Sequence, residues 1–256
     1  MISDALAGRR VGITGATGFL GTALVERLLR SVPGCEVAVV VRPGRRGAAE
    51  RVHREVLRND CFDRLRAESG AAWPERVEGR VLVVSGDVGI DGLGLDETGR
   101  EVLAGCDVVV HAAAAVSFES ALDQAVEVNL LGPVRVAETL RELGARPHLI
   151  TVSTAYVAGS RRGPAEEALL PATPFSTDVD WEAEVAAARR LRSDLDAASR
   201  SVARLAEFSR AARREVGAES AGRRHLGFPV DVRAEGGRRQ ERLLGRAAPR
   251  AGHVGG

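Results

Sequence analysis

The chain contains no lysine: all 36 of its basic side chains are arginine. Any mechanism that needs an amine, as nucleophile or as a charge beside an acid, is closed to it. Aromatic residues are scarce at 4%, with a single tyrosine, Tyr156. The three cysteines, Cys35, Cys61 and Cys106, are scattered and never in CxxC spacing. That pattern excludes a disulfide framework or a zinc site and suits small buried hydrophobes. No apolar run approaches the ~20 residues of a membrane span, and Met1 to Arg10 lacks the apolar core of a signal peptide. A cytoplasmic protein without an integral membrane segment is the expectation. A net charge of +1 over 256 residues supplies no bulk field to hold nucleic acid or an anionic bilayer.

What is present is 45% hydrophobic and long enough for one large α/β domain, or one domain with a small appendage. Its organising stretch is Val11 to Gly21, VGITGATGFLG. An apolar run meets three glycines spaced GxxGxxG, followed by an amphipathic segment from Thr22 to Arg30 with Leu20, Ala23, Leu24, Leu28 and Leu29 at helical spacing. Strand, tight turn and helix in that order form a diphosphate site, because backbone N–H groups at a helix start reach a phosphate only when no Cβ intervenes. The spacing gives Gly15 the turn, Gly18 the close approach and Gly21 the helix–strand contact. Thr17, Phe19 and Leu20 complete the candidate cofactor loop.

Glu36 to Arg42 reads as a central parallel strand, apolar on both faces. It ends 21 residues past Gly21, where the ribose-reading residue lies in such units. Arg42 stands there, with Arg45 and Arg46 behind it. A guanidinium suits a 2′-phosphate, so NADP is expected over NAD; the alternative is a solvated arginine loop. Ala48 to Glu68 has an imperfect helical pattern. Val81 to Val84 is a strand leading into Asp87 and Val88, where the carboxylate either accepts from an adenine amino group or serves the turn. Leu95 to Ala104 is a short helix. Cys106 to His111 is a fourth strand whose exit, Ala112 to Ala115, is small enough for a cofactor to lie against the backbone. His111 is read as a structural hydrogen-bond partner rather than a base. Ala121 to Leu143 is helical with a break at Gly132-Pro133, and Asn129, one turn earlier, is expected to meet the freed backbone or a water. His148 to Val152 is a fifth strand, and the hydroxyls of Ser153 and Thr154 at its end are placed to bond a substrate carbonyl. Five such strands with intervening helices define an α/β, doubly wound Rossmann-type parallel sheet.

The motifs TGATGFLG (14–21), GDV (86–88), HAAAAVSF (111–118), VNLLG (128–132) and VSTAYVAG (152–159) together resemble an extended short-chain dehydrogenase/reductase. Within that group they are similar to the fatty acyl-CoA reductase or thioester reductase branch, the male-sterility domains. The resemblance covers roughly residues 8 to 215. It implies NADPH-dependent reduction of fatty acyl-CoA or acyl carrier protein thioesters to aldehyde or alcohol. It also implies that Thr154 polarises the thioester carbonyl, that Asn129 organises a proton relay, and that Arg42 occupies the NADPH-type position. That family relies on a tyrosine with a lysine four residues later, and here Tyr156 is followed by Ser160 with no lysine anywhere. Tyr156 is therefore expected to pack rather than catalyse.

Residues 169–214 read as a loop and then an amphipathic helix, with Trp181, Val185, Leu191, Leu195, Val202, Leu205 and Phe208 near helical spacing; in the family this insertion roofs the acyl site. From Gly217 the texture becomes glycine- and arginine-rich without periodicity, as in disordered segments or GC-rich coding read out of frame. The expected division is a dinucleotide-binding domain at 1–165, a helical substrate-side insertion at 166–216 and an irregular, possibly frameshifted tail at 217–256. Two other functions fit the same residues: a catalytically inactive NADP-binding or regulatory module, and a sugar epimerase or sterol dehydrogenase. The long insertion favours the thioester branch over the last.

Overall fold

The structure is a computed structural model that describes residues 2–117, 122–154, 163–164, 167–169, 179–199 and 210. Tyr156, most of the region between Thr154 and Val179, and the 217–256 segment lie outside the described residues. Internal contacts divide the chain into two units, residues 1–189 and 190–256.

In the first unit a short helix, α1 (Ile2–Leu6), leads into β1 (Arg10–Thr14), α2 (Phe19–Ser31) and β2 (Glu36–Val41). The segment expected as one imperfect helix breaks into α3 (Gly47–Val52), a π-helical turn (His53–Leu57), a 3-10 turn (Asp60–Phe62) and α4 (Asp63–Ser69). α5 (Trp73–Arg76) then leads to β3 (Val81–Ser85), α6 (Glu97–Ala104) and β4 (Val108–His111). α7 (Leu122–Ala125), a second π-helical turn (Val126–Leu130) and α8 (Leu131–Glu142) lead to β5 (His148–Thr151), and α9 (Trp181–Ser199) crosses from the first unit into the second.

The five strands form one parallel sheet in the order β3-β2-β1-β4-β5, the doubly wound arrangement whose direction reverses between β1 and β4. Side chains alternate across it. Val11, Ile13, Val37, Val39 and Val41 enter one core with Val25 and Leu29 of α2 and with Phe62 and Leu65. Ala38, Val40 and Val109 enter a second core with Leu103 of α6 and with Val136 and Leu140 of α8. β2 is thus covered on both faces, as its unbroken apolar run requires. At the amino end of the sheet, Arg80 donates to the carbonyls of Leu29, Val32 and Cys35 at 2.7–2.8 Å, satisfying two at the end of α2 and one just before β2.

α2 packs through Leu29, with Leu24 and Leu28 half-buried against the same core, but its first turn departs from the leucine stripe. Gly21, Thr22, Val25, Glu26 and Leu29 are buried, whereas Leu20 and Ala23 face outward. Gly21 sets this rotation: a Cβ there would collide with the Gly15 carbonyl and Ala16 Cα, so this face alone can lie flat on the loop. Cys35 and Cys106 are buried as expected, but Cys61 is exposed, because it lies on the 3-10 turn that swings Phe62, rather than itself, into the core.

Candidate functional site

The site forms where the strands end. β1 pairs Thr14 with Val40 and with His111, and β4 pairs His111 with Thr151, so the segments leaving β1, β2, β4 and β5 emerge side by side. This is the end of a doubly wound sheet at which ligands bind.

Gly15 has φ +74°, a conformation only glycine adopts freely. A Cβ there would lie 2.6 Å from the backbone of Ala112 and Ala113, so the glycine turn and the β4 exit pack backbone to backbone. Thr22 holds the loop from the helix side, its hydroxyl lying 2.8 Å from the carbonyls of both Ala16 and Gly18. Gly18 differs from its two neighbours: its backbone is extended (φ −86°, ψ 167°), and a Cβ would meet a single atom, the Gly15 carbonyl oxygen at 3.3 Å. The protein's own packing therefore makes little demand for glycine at 18, while close approach by a ligand does.

Gly18 N-caps α2 without any side-chain acceptor. The chain's hydrogen bonds around the turn are Gly18 N–H to the Gly15 carbonyl and Thr22 N–H to the Gly18 carbonyl, both 2.9 Å. Among the described residues the N–H groups of Phe19, Leu20 and Gly21 have no partner, and they carry the positive end of the helix dipole. Phe19 is 97% exposed and Leu20 44%, so neither side chain covers these donors with core packing. The loop fits the diphosphate of a dinucleotide.

Around it, Thr14 and His111 are both buried. The Thr14 hydroxyl lies 2.8 Å from His111 Nδ1 and accepts from the Ala113 N–H at 3.3 Å, a network satisfied with Nδ1 as acceptor. Burial lowers the imidazole's pKa below its ordinary value. His111 is thus a neutral brace for the β4 exit.

Beyond β2, Arg42, Arg45 and Arg46 are exposed, and among the described residues none of the three guanidiniums has an ion pair or hydrogen bond. The Arg42 carbonyl is tied down by Arg51 at 3.0 Å, so the backbone is anchored and the side chain is left free. Asp87 uses Oδ1 to accept from Gly89 N–H at 2.8 Å; it serves its turn while Oδ2 has no partner among the described residues. Val88 is buried against α8 in the second core.

Asn129 sits on the π-helical turn and does not meet the broken helix backbone. Its side chain grips Ala115 instead, Oδ1 accepting from the Ala115 N–H at 2.7 Å and Nδ2 donating to the Ala115 carbonyl at 3.0 Å. The break lies within a continuous helical run: the π-helical turn leads directly into α8 at Leu131, and Pro133 removes one backbone donor there. Ser153 and Thr154 follow β5 and are exposed, just past the point where the Val152 N–H donates to the His111 carbonyl at 2.9 Å. Thr22, Thr14 and the buried Arg135 escape a sequence reading. The signal for Thr22 was its place directly after the third glycine; for Arg135 it was a charge in register with Gly132, Val136 and Thr139, all buried on α8.

Among the described residues no cluster of histidine, cysteine or carboxylates could hold a metal, and no helix is long and apolar enough to cross a membrane.

A family profile described as "Male sterility protein" matches residues 13–213. Fatty acyl-CoA reductase 2, chloroplastic, of Arabidopsis thaliana is 29% identical over 212 residues, covering 76% of this chain and 34% of that protein. Fatty acyl-CoA reductase 1 of Gallus gallus is 33% identical over 172 residues, covering 66% and 32%. The crystal structure of the terminal R domain from the myxalamid PKS-NRPS biosynthetic pathway superposes with a TM-score of 0.50 at 29% identity, covering 66% of this chain and 40% of that one. The chain spans about a third of the length of the curated relatives it matches.

Proposed function

This chain belongs to the male sterility protein family, and from that membership we propose that it is the NADP-binding part of a reductase acting on fatty acyl-CoA or acyl carrier protein thioesters, yielding aldehyde or alcohol. The observation that carries the reading is the set of three unpartnered amides at Phe19, Leu20 and Gly21, bared by Gly18 and backed by the braced β4 exit. Those amides hold the diphosphate, Arg42 with Arg45 and Arg46 takes the 2′-phosphate, Asp87 and Val88 line the adenine end, and Ala112 and Ala113 give a flat backbone surface for the rest of the dinucleotide. When bound, NADPH supplies the hydride. Ser153 and Thr154 hydroxyls polarise the thioester carbonyl, and Asn129 fixes the Ala115 strip facing them. The division at residues 165 and 216 belongs to the same proposal, with limited proteolysis as its test.

A second reading is favoured by one specific fact, the absence of lysine. Without an ammonium to lower its pKa, a tyrosine is a weak general acid at neutral pH, and losing such a group costs roughly 10²–10⁴-fold in rate. The chain then binds NADP(H) with little or no turnover. Calorimetry with NADPH and NADH, followed by NADPH consumption with palmitoyl-CoA, separates the two. Tight NADPH binding with turnover supports the first reading and tight binding without it the second, while indifference to both nucleotides overturns both.

A further inference from the structure

Glu127 lies on the same π-helical turn as Asn129, and its carboxylate is shared between two helices. Oε2 accepts from Arg135 Nη2 of α8 at 2.6 Å, and Oε1 accepts from Arg189 Nε of α9 at 2.7 Å. The Arg135 side chain is only 8% exposed. It spends its other donors on Asp91 Oδ1 at 2.7 Å and on the main-chain carbonyl of Glu127 itself at 2.8 Å. A π turn has poorer backbone geometry than an α turn and persists where something holds it. Here Pro133 removes one backbone donor just downstream, and Arg135 supplies a side-chain donor to a carbonyl inside the turn. α9 is seated nearby through Val185 and Ala188, both buried.

We propose that Glu127 is a positioning residue that latches α9 to the Asn129–Ala115 clamp. With Arg189 on one oxygen and Arg135 on the other, the carboxylate holds the π turn at the width that aims the Asn129 amide at Ala115. When α9 lifts, Arg189 leaves, the turn loses one of its charge-assisted ties, and Ala115 is released from its double hydrogen bond. The β4 exit is thereby ordered only while α9 is in place. The bearing of this on thioester reduction rests on the function proposed above; the coupling itself does not.

Amide hydrogen exchange on the full chain, with no nucleotide or acyl substrate present, reads the latch directly, because the Ala115 N–H is protected by Asn129 alone among the described residues. Arg189→Ala and Glu127→Gln are expected to speed Ala115 exchange by about threefold to tenfold, the range for losing a partly exposed charge-assisted bond. Arg189→Lys is expected to restore most of the protection. The β1 amides from Val11 to Ile13 should be unmoved, as should every amide in Arg141→Ala, which removes an exposed charge from α8. Unchanged Ala115 exchange in Arg189→Ala, or an equal rise in β1, overturns the latch. Because nucleotide is absent, that result leaves dinucleotide binding standing, and failure to bind NADPH leaves the latch standing.

Discussion

Asn129 and Ala115 are joined by a pair of hydrogen bonds, one in each direction, across 14 residues of sequence. The clamp ties the turn before α8 to the loop that leaves β4, the surface on which the nicotinamide end of a dinucleotide is proposed to rest. Asn129→Asp keeps the acceptor and loses the donor, setting a carboxylate against the Ala115 carbonyl. The expected result is a loss of about 1 kcal/mol in urea unfolding together with weaker NADPH binding. Unaltered stability and affinity would remove Asn129 from the site.

The three glycines of the loop separate fold from binding. Gly15→Ala and Gly21→Ala drive a methyl group into backbone atoms and are expected to cost more than about 2 kcal/mol each. Gly18→Ala, with its extended backbone and single close neighbour, is expected to stay within about 1 kcal/mol of the parent while NADPH binding falls at least about tenfold. Thermal unfolding and calorimetry on the same three variants check the contrast; equal binding losses with equal stability losses would argue that Gly18 serves packing as well.

Arg42→Ala should weaken NADPH about tenfold or more and leave NADH nearly unchanged, since a charge-assisted contact to a phosphate is worth roughly 1.5–3 kcal/mol and NADH offers no phosphate at that position. Parallel losses for both nucleotides would place Arg42 outside the 2′-phosphate subsite.

Stability should depend on His111 in mildly acidic solution. Burial holds its pKa below the ordinary 6.5, so above that pH both folded and unfolded chains carry it neutral and its contribution is complete. As pH falls below 6.5 the unfolded chain takes up the proton first, and stability drains away until the folded value is passed. Urea unfolding at pH 7.5 and 5.5 should show a loss of stability from this group at the lower pH, and His111→Gln should flatten that part of the slope. An unchanged slope would show that another group governs it.

Thiol titration should find one accessible cysteine in the folded chain. Cys61 is exposed, whereas Cys35 and Cys106 are buried and desolvation pushes the Cys106 thiol up to about 11. One equivalent reacting before urea and three after it is the expected count; three at once would mean the core opens readily.

Much of this was written in local sequence. The alternation of apolar runs with helical periods gave the five strands and their parallel class, because a strand buried on both faces has to be apolar throughout, as Glu36 to Val41 shows. GxxGxxG between a strand and a helix located the turn now proposed to hold the diphosphate, and counting residues put Arg42 directly after β2. The orientation of α2 was legible in part: Leu24, Leu28 and Leu29 meet the core as their spacing suggests, whereas contact between Gly21 and the Gly15 carbonyl turns Leu20 and Ala23 away from it.

The sequence by itself determined which segments become strands, where the backbone can be approached closely, and that no lysine is on hand for acid–base work. Periodicity and residue type act over a few positions, and that range is enough for those decisions. Only the tertiary structure decided that Asn129 grips Ala115, that His111 braces Thr14, that the buried Arg135 pairs with Glu127, and that Cys61 alone among the thiols faces water. Each of these depends on which strand exits lie side by side and which helix faces the sheet. The register of β1 with β4 and of β4 with β5 sets that across separations of 97 and 40 residues, beyond the reach of a local pattern.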